Sequence, residues 1–257
     1  MTKIYYFSGT GNTLWSAKKI AEGLGNECEL FNIGIEAYKD KIILEADTVI
    51  LLFPSYAYGL PLIVSRFVKN ALFKTSYIAA FVTFGTSPGG TLGRLSRILK
   101  NKNIASTFFG RIPSVENYIA IFGPQSTKTI EKRLLMQKQA TENICEIIKM
   151  RKTNSINTFR PFSAFISFLF TLGLNSFYKT YYVNVSCNGC GICERVCPVS
   201  AVSMQENRPV FSSKCEHCQG CLNWCPQKAI SFGRLRATTP RYNHPEITIA
   251  DIARKTL

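Results

Sequence analysis

Cys187-Asn188-Gly189-Cys190-Gly191-Ile192-Cys193-Glu194-Arg195-Val196-Cys197-Pro198 and Cys215-Glu216-His217-Cys218-Gln219-Gly220-Cys221-Leu222-Asn223-Trp224-Cys225-Pro226 are two copies of one pattern, C-x2-C-x2-C-x3-C-P, set 28 residues apart. The echo continues past each proline, with Val199-Ser200-Ala201-Val202 against Gln227-Lys228-Ala229-Ile230. Two successive loops, each gathering thiols, dominate this half of the chain.

The spacing has a chemical reason. A cubane iron–sulfur cluster needs four thiolates, three from a tight loop and a fourth from elsewhere. Gly189, Gly191 and Gly220 suit a loop closing on an inorganic cube, because glycine tolerates the dihedrals and crowds least. The prolines end each loop and remove an N–H donor. Zinc favours paired C-x2-C units, often with histidine, rather than two runs of four cysteines ending in proline. Disulfides need an oxidising compartment. The first residues, MTKIYYF, run straight into a strand pattern without the apolar core of a signal peptide. A reducing cytoplasm is expected, oxygen-poor if the clusters are exposed.

Residues 181–233 resemble the bacterial two-cluster ferredoxins. The resemblance implies that the fourth cysteine of each run serves the other cluster. Cys187, Cys190, Cys193 and Cys225 would hold one [4Fe-4S] cluster, and Cys215, Cys218, Cys221 and Cys197 the second. Of ten cysteines, Cys28 and Cys145 are left over, expected as small buried hydrophobes.

Upstream, residues 3–7 are apolar and β-favouring, followed by Ser8-Gly9-Thr10-Gly11-Asn12-Thr13 and a helical stretch over 14–24. Strand, small polar loop and helix form a phosphate-binding arrangement, combining loop N–H groups with the positive helix end. Neither a P-loop nor a dinucleotide fingerprint is present. Residues 47–53 (DTVILLF) read as a central parallel strand, ending in Pro54-Ser55-Tyr56-Ala57-Tyr58-Gly59. A helix over 62–72, a strand over 77–84, a helix over 91–100 and a fifth strand over 103–110 follow. A long helix over 127–152 offers Ile130, Leu134, Ile144, Ile147 and Ile148 to the sheet. Strands alternating with helices imply a parallel sheet covered on both faces, with ligands at the carboxyl ends of its strands.

These residues resemble flavodoxin over 1–152. By that resemblance, Ser8, Gly9, Thr10, Gly11, Asn12 and Thr13 form the FMN-phosphate loop. Residues Pro54, Ser55, Tyr56, Ala57, Tyr58 and Gly59, with Thr83, Phe84 and Gly85, flank the isoalloxazine, and Tyr56 or Tyr58 stacks on it. Flavodoxins are typically acidic around the flavin, and this chain is not.

Residues 149–157 are basic and polar and mark a boundary. Residues 161–178 (PFSAFISFLFTLGLNSFY) carry no charge and lie between Arg160 and Lys179. Three readings are open: a helix packing the two domains together, peripheral contact with a membrane, or a span at the lower limit of length. The division expected is 1–152, a connecting segment 153–180, a cluster domain 181–233 and a basic tail 234–257. The tail, with Arg234, Arg236, Arg241 and His244, is expected to wrap back on a domain. His217 is either a solvated loop residue or a hydrogen-bond donor to a cluster thiolate.

The formal charge of +15 would fall to roughly +9 with two clusters and one FMN bound. The excess is not in the cluster segment: 181–225 has three basic and three acidic residues, against nine and three in 126–180 and six and two in 226–257. It implies an anionic partner, such as an acidic ferredoxin or flavodoxin. No helix-turn-helix or RNA motif is present, so nucleic acid is not expected.

The whole chain resembles the flavodoxin–ferredoxin fusion proteins of anaerobes. That implies an α/β, flavodoxin-like, doubly wound parallel five-stranded sheet, followed by a small α+β ferredoxin-like two-cluster domain. FMN and two [4Fe-4S] clusters would relay electrons between single-electron and paired-electron chemistry. No residue stands out as a catalytic acid or base. A flavin-dependent reductase of a small substrate, fed by the clusters, is the second reading. A redox-sensing binding protein is the third.

Overall fold

A computed structural model of the protein describes residues 1–25, 27–104, 106–156, 161–233, 235 and 238–253. Asn157 and Arg160 of the boundary, and Arg234 and Arg236 of the tail, lie outside the described residues. The first half runs β1 (Thr2–Tyr6), α1 (Asn12–Leu24), β2 (Cys28–Asn32), α2 (Ile33–Glu36), β3 (Ile43–Glu45), β4 (Thr48–Pro54), α3 (Leu62–Asn70) and β5 (Leu72–Lys74). It continues through β6 (Tyr77–Phe84), α4 (Thr91–Lys100), β7 (Thr107–Pro113), α5 (Ile119–Phe122) and α6 (Thr127–Lys149).

Five of these strands pair, all parallel, in the order β2-β1-β4-β6-β7. The order reverses between β1 and β4, which opens a crevice at their carboxyl ends. β4 and β6 are buried almost throughout because helices cover both faces. Alternation divides their side chains. Val49, Leu51 and Phe53 join Val64 and Phe67 of α3 in one core, while Ile50 and Leu52 join Ile20 of α1 and Ile144 and Ile148 of α6 in the other.

Several boundaries differ from the expectation. The helix expected over 62–72 ends at Asn70, and the chain then pairs Leu72–Lys74 with β3. The last strand is displaced to Thr107–Pro113, because residues 99–104 close a turn with Asn103 in the left-handed region. On α6, Ile144 and Ile148 are buried as expected, but Ile130, Leu134 and Ile147 are only half-buried. Gln137 and Thr141 complete the buried stripe, since Gln137 Nε2 donates to Asn12 O and both side chains bond Ser16 Oγ.

Past α6, the apolar stretch forms α7 (Pro161–Phe177). No helix among the described residues is long and apolar enough to cross a membrane. Phe162, Phe165, Leu169 and Leu172 make an exposed stripe on α7. The cysteine-rich half contains β8 (Tyr181–Val183), α8 (Ile192–Arg195), β9 (Val202–Gln205), β10 (Arg208–Phe211), α9 (Gly220–Asn223), β11 (Ile230–Phe232) and α10 (Ile249–Ile252). β8 pairs with β11 and β9 with β10, both antiparallel.

The sequence repeat is also a repeat of backbone. Gly189 and His217, Gly191 and Gln219, and Ser200 and Lys228 are pairs 28 residues apart, and all six have positive φ. Ala201 N donates to Cys197 Sγ at 3.2 Å, and Ala229 N to Cys225 Sγ at 3.3 Å.

Candidate functional site

A cleft of about 430 Å³ opens at the β1/β4 switch point. Ser8, Gly9, Thr10, Asn12 and Thr13 form its floor; Pro54 to Tyr58 and Thr83 to Gly85 form two of its walls. Gly11 and Gly59 shape turns beside it. Gly11 has φ 98° and caps α1 without a side-chain hydrogen bond, leaving the first N–H groups of the helix open to an anion. Ser8 Oγ is buried without a partner. An orphaned hydroxyl beside open N–H groups fits a phosphate. Asn12 and Thr13 are committed elsewhere: Asn12 Nδ2 donates to Val115 O, and the Thr13 and Thr83 hydroxyls bond at 2.7 Å.

Tyr56 and Gly59 pair backbone to backbone, with Ala57 and Tyr58 at φ 45° and 61° between them. Two non-glycine residues thus occupy the left-handed positions of a tight turn, a strain met chiefly at functional sites. Burial pushes the Tyr56 hydroxyl well above its ordinary range, and the oxygen has no partner.

Two further walls are ones that sequence patterning did not reveal. Ser114 to Tyr118, after β7, line one side, and Asn117 Nδ2 donates to Thr10 Oγ1. Ile166, Leu169, Phe170 and Phe177 of α7 roof the cleft. The apolar segment therefore lies over the crevice, with Ser167 against Gly59 and Phe177 against His217.

The second cysteine loop stands directly behind this cleft. A Cβ on Gly9 would lie 2.6 Å from Cys218 O, and Trp224 Nε1 donates to Gly9 O at 3.0 Å. Glu216 reaches across to α3, accepting from Leu62 N at 2.9 Å and Ile63 N at 2.7 Å. It caps a helix whose own N-cap, Pro61, supplies no side-chain bond. Burial pushes the Glu216 carboxyl up to about 7 against the pull of these two donors.

The structure sorts the eight cysteines into two groups. Cys187, Cys190, Cys193 and Cys225 line one small cavity. Cys218 interacts with Cys197 and Cys215, and Cys221 with Cys215, Cys218 and Cys197 and also with Cys193, where the two groups adjoin. Burial pushes the Cys193 thiol up to about 11 and Cys215 up to about 12, and raises Cys218 and Cys221 well above the ordinary range. Among the described residues, no three His, Cys, Asp or Glu side chains converge as a single metal ion would need. Beside Cys225, Arg241 Nη2 donates to Lys228 O and Ile230 O, while its Nε and Nη1 are buried without partners. A half-buried cation with unused donors fits a negatively charged cluster. Cys190 is exposed, Cys187, Cys215 and Cys225 are half-buried, and Cys193, Cys197, Cys218 and Cys221 are buried.

His217 is not the solvated loop residue: it is 1% exposed. It does donate to a cluster-loop thiol, Cys215 Sγ, but through its backbone N and not its ring. The ring lies among Tyr118, Tyr181, Phe177 and Phe232, with Nδ1 bonded by Tyr118 OH and Gln219 Nε2. Burial holds its imidazole down to about 4. Cys28 and Cys145 are half-buried rather than fully buried.

The tail closes the arrangement. Tyr242 OH donates to Asn12 Oδ1, His244 N donates to Thr10 O, and His244 stacks on Trp15. Burial holds the His244 imidazole down to about 4. The unfolded chain therefore takes up a proton near pH 6.5 that the folded chain refuses until about pH 4, so stability falls with acid across that window. Replacing His244 by phenylalanine should spare the protein about 2 kcal/mol of this loss between pH 7 and 5. Parallel Tm-versus-pH curves for parent and variant would count against it.

Comparison with known proteins bears on both halves. Residues 186–230 match the family model described as a 4Fe-4S dicluster domain. Over 49 residues the chain is 43% identical to a component of the ion-translocating oxidoreductase complex of Methanosarcina acetivorans, covering 19% of each protein. The chain thus spans about a fifth of that relative's length. Among solved structures, a flavone reductase is 11% identical over 86% of both chains, with a TM-score of 0.39. The Trp repressor binding protein of Bacillus subtilis is 13% identical over 59% of this chain and 99% of its own, with a TM-score of 0.33. The molecule joins a flavodoxin-like α/β domain to a 4Fe-4S domain.

Proposed function

We propose that this protein relays electrons between two [4Fe-4S] clusters and FMN, in the oxygen-poor cytoplasm of an anaerobe. The observation that carries the reading is the packing of the second cysteine loop on the phosphate loop, with Trp224 donating to Gly9 O and Cys218 against Gly9. Bound in these sites, the clusters exchange single electrons and FMN one or two. Cys187, Cys190, Cys193 and Cys225 hold the outer cluster; Cys215, Cys218, Cys221 and Cys197 hold the inner one. Ser8 and the loop N–H groups hold the phosphate, and Tyr56 or Tyr58 flanks the ring. The exposure of Cys190 makes the outer cluster the port for a partner, and the basic surface selects an acidic redox protein.

The apolar roof from α7 favours one alternative: a reductase that holds a small apolar substrate against the flavin. An anaerobic visible spectrum separates the two. Flavin bands on broad iron–sulfur absorbance are expected, with bleaching by a reduced acidic ferredoxin that is faster at low salt. Bleaching by NADH or NADPH instead would favour the reductase. A spectrum without flavin bands would end both readings.

A further inference from the structure

α7 turns three different sides to its surroundings. Its inner side roofs the cleft through Ile166, Phe170 and Phe177, with Ser167 against Gly59. Its outer side carries Phe162, Phe165, Leu169 and Leu172, whose spacing of three and four sets them on one ridge. Phe162 is 73% exposed and Leu172 60%. The ridge runs about 15 Å along the helix axis and holds no polar side chain. At the mouth of the cleft, the exposed Ile121 and Phe122 of α5 meet Leu169 and extend the apolar surface.

The third side borders a groove of about 670 Å³ between α7 and α4. Phe168 and Thr171 stand on its α7 wall, and Lys69, Arg94 and Arg97 on the opposite one. Among the described residues, no acidic side chain lines this groove, and none of the three cations closes an ion pair or a side-chain hydrogen bond. Lys69 and Arg97 are exposed and Arg94 is half-buried.

A contiguous exposed apolar surface marks an interaction site, and the cations beside it specify the partner. Charge alone would suit an acidic protein. An unbroken ridge of phenylalanine and leucine is what a lipid interface accommodates without a matching pocket, with cations held at the level of the headgroups.

We propose that α7 and the adjoining groove form a peripheral membrane-docking face. The ridge from Phe162 to Leu172 enters the interface of a bilayer, and Lys69, Arg94 and Arg97 hold anionic lipid headgroups. α7 is not long and apolar enough to cross the bilayer, so it lies along the surface. The proposal goes beyond the electron relay and does not depend on it.

The test is flotation of the full-length, cluster-replete protein with vesicles of phosphatidylcholine, with and without phosphatidylserine. Binding to the anionic vesicles is expected, weakened by salt, with little binding to phosphatidylcholine alone. Phe165→Ser combined with Leu172→Ser should weaken it roughly tenfold or more, since two apolar side chains no longer leave water. Arg94→Gln combined with Arg97→Gln should weaken it about fivefold for each charge removed. All four positions lie outside the cleft lining and the cysteine loops, so iron content and Tm should match the parent. Absence of flotation with anionic vesicles would overturn the proposal, as would equal flotation of the parent and either double variant. A parent dimer that Phe165→Ser with Leu172→Ser dissociates, without vesicle binding, would assign the ridge to a second copy of the chain. Retention on an acidic ferredoxin, lost in the same variants and without vesicle binding, would assign it to a protein partner; either result overturns the membrane face.

Discussion

Serine in place of Cys221 is expected to cut the iron content from about eight to about four per chain while FMN stays bound. Flavin reduction by a reduced ferredoxin should slow by about a hundredfold or more, because the step loses a component it cannot replace. The expectation follows from the order of the sites. Cys221 is buried in the group of cysteines behind the phosphate loop, and Cys190 is exposed in the other group. On the proposed relay, electrons entering at the surface would cross both clusters in series. The Cys190→Ser variant discriminates further: it should also block the protein donor, while dithionite still reduces the flavin. A normal rate in Cys190→Ser would mean that the donor meets the inner cluster directly, and a normal rate in Cys221→Ser would sink the relay.

Valine at Gly9 is expected to damage both halves at once. Its Cβ would fall 2.6 Å from Cys218 O and 2.9 Å from Cys218 Cβ, so either the phosphate loop or the cysteine loop must move. Overpacking of this kind costs about 1–3 kcal/mol, or a Tm lowered by about 2–10 °C in a chain of this size. FMN affinity should fall with it, since Ser8 and the N–H groups of the loop lose their placement. Calorimetry and FMN titration on one sample decide the matter. A variant with parental Tm and affinity would show that the two halves do not pack as described.

Periodicity and spacing carried much of this architecture. The apolar run through β4, the turn of small residues after β1 and the doubled cysteine pattern each point to a physical requirement that residue types reveal. The docking of the halves was not legible, for equally physical reasons. Glu216 reads as a surface carboxylate until the chain brings it to the bare N-terminus of α3. Gln137 and Thr141 read as the solvent side of α6, yet they are buried because the polar floor of the cleft lies opposite. Residues 114–118 follow an edge strand and carry no pattern, and only the sheet order places them beside the phosphate loop. His217 misled for a related reason: its neighbours in sequence are thiols, while its neighbours in space are the aromatic walls of the cleft.

The bonds from Tyr242 to Asn12 and from His244 to Thr10 bear on how the molecule is made. On the ribosome, the N-terminal sheet emerges first and folds as a unit. Its loop at residues 8–13 reaches its described bonding only after residue 244 has been synthesised. By then both cysteine runs have already appeared. The order of synthesis therefore places completion of this loop after the cluster-binding segments are available.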